Sequence, residues 1–206
     1  MPFPPELINV TVGLLAAVGG SGVTGYFTLK AADKAICLEN EKEERQAARE
    51  VQNMLDALGV EISTIWEFHM RRIGSRVEQL ADGEIMDFYY PLSQNYFTIY
   101  DSNAWKIGAV RDARLRQAIV ICYNKCKKVV DAFKYNNELL AEMRRLTQKK
   151  EASYTSLTNG ESYIMKTLAA LAKIIREDHV ELKGYVENLM SLLGECRMDY
   201  GKEATA

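Results

Sequence analysis

"INVTVGLLAAVGGSGVTGYFTLK", residues 8–30, decides how the rest of the chain is read. Its first 22 residues carry no charge, and as a helix they rise about 33 Å, against a bilayer hydrocarbon thickness of about 30 Å. Five glycines, three threonines, Asn9 and Ser21 dilute the Val, Leu, Ile and Phe content. In water each glycine would cost a helix up to about 1 kcal/mol, a cost that close helix packing in a membrane offsets. "MPFPPEL" before it lacks the basic region of a secretory signal. The stretch therefore predicts a transmembrane helix over 8–29, with 1–7 as a short external N-terminus. Lys30, Lys34, Lys42, Arg45 and Arg49 follow it and no Lys or Arg precedes it, which orients the remainder toward the cytosol. The expected location is a bacterial-type inner membrane, single-pass, with membrane lipid as a contact.

Within this stretch Gly13, Ala17, Ser21 and Gly25 are spaced by four, with Ala16 and Gly20 beside them. A ridge of small residues lets two helices approach closely. The expectation is a homo-oligomer associating through that face.

Downstream the pattern is helical throughout. Val51, Leu55, Leu58, Ile62, Ile65, Trp66, Ile73, Val77 and Leu80 recur at steps mostly of three and four, predicting a helix to about Ala81 with Gly59 as a possible kink. "ADG" at 81–83 ends it. A second long helix is expected over about 111–150, where Leu115, Ile119, Cys122, Cys126, Val129, Phe133 and Leu140 form a heptad-like, coiled-coil seam broken by a polar position near Asn136. A third begins near Glu161 and keeps Ile164, Leu168, Leu171, Ile175, Leu182, Val186, Leu189 and Leu193 on one stripe. No segment alternates like a strand. The fold class is therefore all-α: the N-terminal span, then a cytosolic bundle over 30–200 of about three long antiparallel helices plus short connecting helices, and a disordered tail over 201–206.

Charge excludes little but is informative. With 26 Lys+Arg against 28 Asp+Glu, no basic excess exists for general nucleic-acid binding, and no nucleic-acid partner is expected. The four cysteines show no zinc-site spacing; Cys122 and Cys126 fall on the apolar seam and read as core. No metal or other cofactor is expected, and no catalytic residue is assigned.

Two constellations remain as candidate sites. His69 and His179, the only histidines, both lie on apolar faces and form a candidate buried polar pair if their helices pack together. The connector "GEIMDFYYPLSQNYFTIYDSNAW" holds seven of the 19 aromatics. Tyr89, Tyr90, Tyr96, Phe97, Tyr100 and Trp105 either cap the open end of the bundle or line a site for a ligand or cytosolic protein partner.

The functional expectation is a membrane-anchored, non-enzymatic scaffold, sensor or effector. One alternative is a pore-forming or membrane-perturbing protein, since the layout is similar to small anchored effectors of bacterial antiviral defence. A second alternative is a nuclease-like enzyme. Helical RNases of such systems use an Arg followed several positions on by a His, whereas "REDH" holds Arg176 and His179 only three apart.

Overall fold

The computed structural model describes residues 5–92, 95–153 and 159–203, with side chains described over 30–92, 95–148 and 160–196. All regular structure among the described residues is helical. In chain order it comprises α1 (Pro5–His69), a π-helical turn (Met70–Gly74), α2 (Ser75–Glu78), α3 (Thr98–Asn103), a 3-10 turn (Ala104–Ala109), α4 (Ala113–Ser153) and α5 (Asn159–Glu203). The chain divides into two units, Met1–Glu50 and Val51–Ala206.

In the first unit α1 is unbroken, and its side chains from Lys30 to Gln46 are exposed. Arg45 pairs with Glu41 one turn back at 3.4 Å, a solvated contact of small energetic weight. The expected transmembrane helix is corrected here. Among the described residues no helix is long and apolar enough to cross a membrane. The physical reason is the dilution already visible in the sequence: five glycines, three threonines, Asn9 and Ser21 within 22 residues, on a helix that continues into "ENEKEERQAARE". The single-pass architecture, the inner-membrane location and the external N-terminus fall with the span, and the pore-forming alternative loses its premise. The small-residue face of Gly13, Ala16, Ala17, Gly20, Ser21 and Gly25 lies outside the described side chains.

The second unit holds the core. Its buried residues fall on the apolar stripes: Val51, Leu55, Leu58 and Ile62 on α1, Leu115, Ile119, Cys122, Val129 and Phe133 on α4, and Leu171, Ile175, Leu182, Val186 and Leu189 on α5. Burying such side chains is worth roughly 1.5–3 kcal/mol each, which is why three helices with matching stripes associate. Gly59 introduces no break, because α1 runs straight through it. The π turn has a packing cause. His69, Ile73 and Val77 are all buried and spaced by four, and in an α-helix each such step would rotate the face by about 40°. One wider turn restores the register and keeps all three inward. The helix ends at Glu78 with Gln79 as its C-cap, and Gly83, at φ 81°, supplies the left-handed residue of the turn that follows.

The helices are not all antiparallel to their sequence neighbours. α4 and α5 are, since Lys128 pairs with Asp178 and Lys125 with Glu181. α1 and α4 run the same way: the Tyr123 hydroxyl lies 3.2 Å from the Leu58 carbonyl, and ten residues further along Phe133 meets His69. The connector makes this possible by returning along α4. Met86 and Tyr90 sit at the level of Asn136 and Asn137, Tyr100 stacks on Tyr123 at 4.1 Å, and Val110 reaches Arg116. The polar interruption near Asn136 belongs to this crossover. Asn136 donates to the Met86 carbonyl at 3.2 Å, while Asn137 donates to the Tyr90 carbonyl at 2.7 Å and accepts from its N–H at 3.0 Å. α5 runs to Glu203, into the tail expected to be disordered; 204–206 lie outside the described residues.

Candidate functional site: a histidine-floored aromatic cavity

Where α1, the connector, α4 and α5 meet, they line a cavity of about 460 Å³ that opens to solvent on one side. α1 contributes Ile62, Ile65, Trp66, Phe68 and His69, and the π turn contributes Arg72. Tyr90, Leu92, Tyr96 and Phe97 come from the connector, Cys126, Val129, Val130 and Phe133 from α4, and Leu182 from α5. A volume of this size suits a small organic molecule, and apolar walls with a few polar groups are the usual composition of such sites.

His69 is the buried polar group of this wall, and it does not stand alone. Its Nε2 lies 2.9 Å from Nδ1 of His179, which is wholly buried. His179 Nε2 lies 3.4 Å from the Glu78 carboxylate, which also faces Lys183 Nζ at 3.6 Å. Trp66 stacks on both imidazoles, with centroids 5.4 and 5.5 Å away, and Phe133 and Tyr90 present edges to His69 at 5.9 and 6.5 Å. The result is an aromatic box around a hydrogen-bonded histidine pair.

This packing dictates protonation. Burial, reinforced by the neighbouring His179, lowers the His69 pKa from 6.5 to about 4. Burial also pulls His179 down, against the hydrogen bond to Glu78 that favours its charged form. Glu78 is held below the usual carboxylate range, chiefly by that same hydrogen bond. Both imidazoles are therefore neutral at pH 7. A carboxylate can only accept, so His179 places its proton on Nε2, facing Glu78. Its Nδ1 must then accept from His69 Nε2–H, leaving Nδ1 as the unprotonated nitrogen of His69.

The connector wall is fixed from α1. Glu61, buried beside it, accepts from the N–H groups of Ile99 and Tyr100 at 2.7 and 3.1 Å and from the Tyr123 hydroxyl at 3.0 Å. It caps the first turn of α3 from outside, since the N-cap residue Phe97 has no capping side chain. That cap, together with the Asn137 clasp on Tyr90, holds both ends of the segment bearing Tyr96 and Phe97.

The sequence candidates separate accordingly. His69 and His179 are brought together, and Tyr90, Tyr96 and Phe97 line the cavity beside His69. Tyr100 packs on Tyr123 instead. Tyr89 and Trp105 face solvent, at 58% and 77% exposure. Arg176 donates to the Leu80 carbonyl at 2.6 Å and pairs with Asp82, clamping the turn that follows α2. Trp66, Arg72, Phe133, Glu61 and Glu78 were not anticipated as parts of the site. Trp66 sits in the same apolar series as His69 and had a periodicity signal; the two glutamates look like ordinary helix-surface charge until the crossover brings Ile99 and Tyr100 to Glu61 and α5 brings His179 to Glu78. Among the described residues no group of His, Cys, Asp and Glu could hold a metal ion.

Fold and site together define an all-helical bundle with an aromatic cavity in its side. No protein-family model, curated protein or solved structure matches the chain.

Proposed function

We propose that the chain is a non-enzymatic small-molecule sensor whose ligand occupies the cavity floored by His69. The observation that carries this reading is the cavity itself: about 460 Å³, walled by aromatic and aliphatic side chains, with a neutral, hydrogen-bonded histidine in its lining. A ligand there contacts α1, the connector, α4 and α5 at once. Binding would therefore stabilise the one arrangement of the crossover that closes the wall, and the coupling of ligand to conformation is what a sensor requires.

The test uses the intrinsic tryptophans, of which there are two. Trp105→Phe leaves Trp66, in the cavity wall, as the reporter. Titration with the amphipathic naphthalene dye 1-anilinonaphthalene-8-sulfonate is expected to quench Trp66 saturably. Val130→Phe, which fills the cavity from α4, is expected to weaken that binding by more than about tenfold while leaving the melting temperature within a few degrees. Unsaturable quenching, or identical binding by the filled variant, would remove the cavity from consideration as a ligand site.

A further inference from the structure

The polar groups of the cavity specify the ligand more closely than its volume does. Arg72 lines the cavity and, among the described residues, makes no ion pair or hydrogen bond, whereas its neighbours Arg71 and Arg76 pair with Glu67 and Asp87. Among the described residues no carboxylate lines the wall. An apolar cavity that offers an unpaired guanidinium and no acid is complementary to an anion with an apolar body.

The histidine pair adds a second element. With Nε2–H already donating to His179, the nitrogen that His69 has left for a ligand is Nδ1. A proton added there turns an acceptor into a donor and breaks no existing bond: His69 Nε2–H still donates to His179, and His179 Nε2–H still donates to Glu78. The groups around His69 bear unequally on that proton. Arg72 from the π turn and Lys183 from α5 oppose it, and Glu78 from α2 favours it through His179. Tyr90 of the connector, pushed up by burial, and Cys126 of α4, pushed up by its hydrogen bond with Cys122 and by burial, are uncharged at neutral pH, and the Tyr96 hydroxyl lies on the same wall. Burial keeps the pair unprotonated until an anion arrives.

We propose that the ligand is an apolar carboxylate, held with its carboxylate between Arg72 and His69, and that binding takes up one proton onto the His69–His179 pair. The inference rests on the cavity being a ligand site. Ligand anion and imidazolium stabilise each other, so affinity is linked to pH. Burial holds unliganded His69 unprotonated down to about pH 4, and the bound anion raises that value. Affinity should therefore strengthen as pH falls from neutral toward the range where the ligand itself protonates.

Calorimetry on the full chain with 2-naphthoate and its neutral counterpart 2-naphthamide tests this. At about pH 6 the acid is expected to bind at least about tenfold more tightly than the amide, as a charge-assisted pair should. The apparent enthalpy should depend on the buffer's ionisation heat in the sense of proton uptake. Arg72→Gln, at an exposed position, should erase most of the preference for the acid, and His69→Gln should abolish proton uptake while leaving amide binding in place. Equal affinity for acid and amide would overturn the carboxylate assignment while leaving the cavity as a ligand site. A preference for the acid without proton uptake would overturn the role given to the histidine pair. If neither compound binds and Val130→Phe changes nothing, the cavity reading fails and this inference falls with it.

Discussion

Removing the Glu61 carboxylate should loosen the cavity wall from a distance. In Glu61→Ala the N–H groups of Ile99 and Tyr100 lose their acceptor, and the Tyr123 hydroxyl keeps only the Leu58 carbonyl at 3.2 Å. Hydrogen bonds to a charged group contribute about 1.5–3 kcal/mol each, and three are lost together with a long, weak contact from the Thr98 hydroxyl at 3.5 Å. Two terms reduce the sum: Ile99 and Tyr100 are half-buried and regain part of their hydration, and Tyr123 retains one partner. The net expectation is a loss of about 3 kcal/mol, or about 6–12 °C in melting temperature for a chain of this size. Glu61→Gln, which keeps one acceptor, should lose about half as much. Urea unfolding followed by circular dichroism gives both values, and a double-mutant cycle with Tyr123→Phe should show a coupling of about 1 kcal/mol. A Glu61→Ala variant within about 0.5 kcal/mol of the parent, or a cycle with no coupling, would show that the carboxylate does not hold α3 and that the wall is fixed by other contacts.

Three further outcomes follow from the same geometry. His69 titrates at about 4 in the folded chain and at 6.5 when unfolded, so between those values the unfolded state binds the extra proton. Stability should fall by about 3 kcal/mol as pH drops from about 6.5 to about 4, and His69→Phe should flatten that part of the profile in thermal unfolding at stepped pH. Asn137→Ala removes both bonds to the Tyr90 backbone; a loss of about 2 kcal/mol is expected in urea, with faster amide exchange confined to the connector. Cys37 is exposed, whereas Cys122 and Cys126 are buried, and the Cys126 thiol is pushed up by its hydrogen bond with Cys122 and by burial. Under native conditions a disulfide reagent should modify Cys37 promptly and spare Cys122 and Cys126 until unfolding, as peptide mass mapping would show.

Helix periodicity made the all-α architecture legible. The stripes at Leu115–Phe133 and Ile164–Leu193 are the buried faces of α4 and α5, because apolar burial dominates the energetics of a bundle. What periodicity could not convey was direction. A helix–connector–helix segment suggests an antiparallel pair, and only the side chains that pin the connector, Asn136, Asn137 and Glu61, reveal the crossover that makes α1 and α4 parallel. Their chemistry is local and polar, so it leaves no periodic trace beyond one interruption in the seam. The same limit applied to the site. The two histidines stood out because each sat alone on an apolar face, whereas Glu78 and Arg72 resemble any solvated charge in the sequence. The N-terminal reading failed for a different reason. A long uncharged stretch invites a membrane assignment, but five glycines and several polar groups dilute its apolar content, and among the described residues no helix meets the demands of a span.

The claim that the cavity binds a ligand beside a neutral, hydrogen-bonded histidine pair is tested most directly by nitrogen-15 NMR of the imidazoles. The chain contains only two histidines, so the spectrum reports on the pair alone. At pH 7 both rings are expected to be neutral and protonated at Nε2. Saturating 2-naphthoate is expected to move the His69 nitrogens strongly, its Nδ1 toward the protonated position, with a smaller response at His179. Two rings titrating near 6.5 as in an unfolded peptide, unmoved by the ligand, would contradict both the pair and the site.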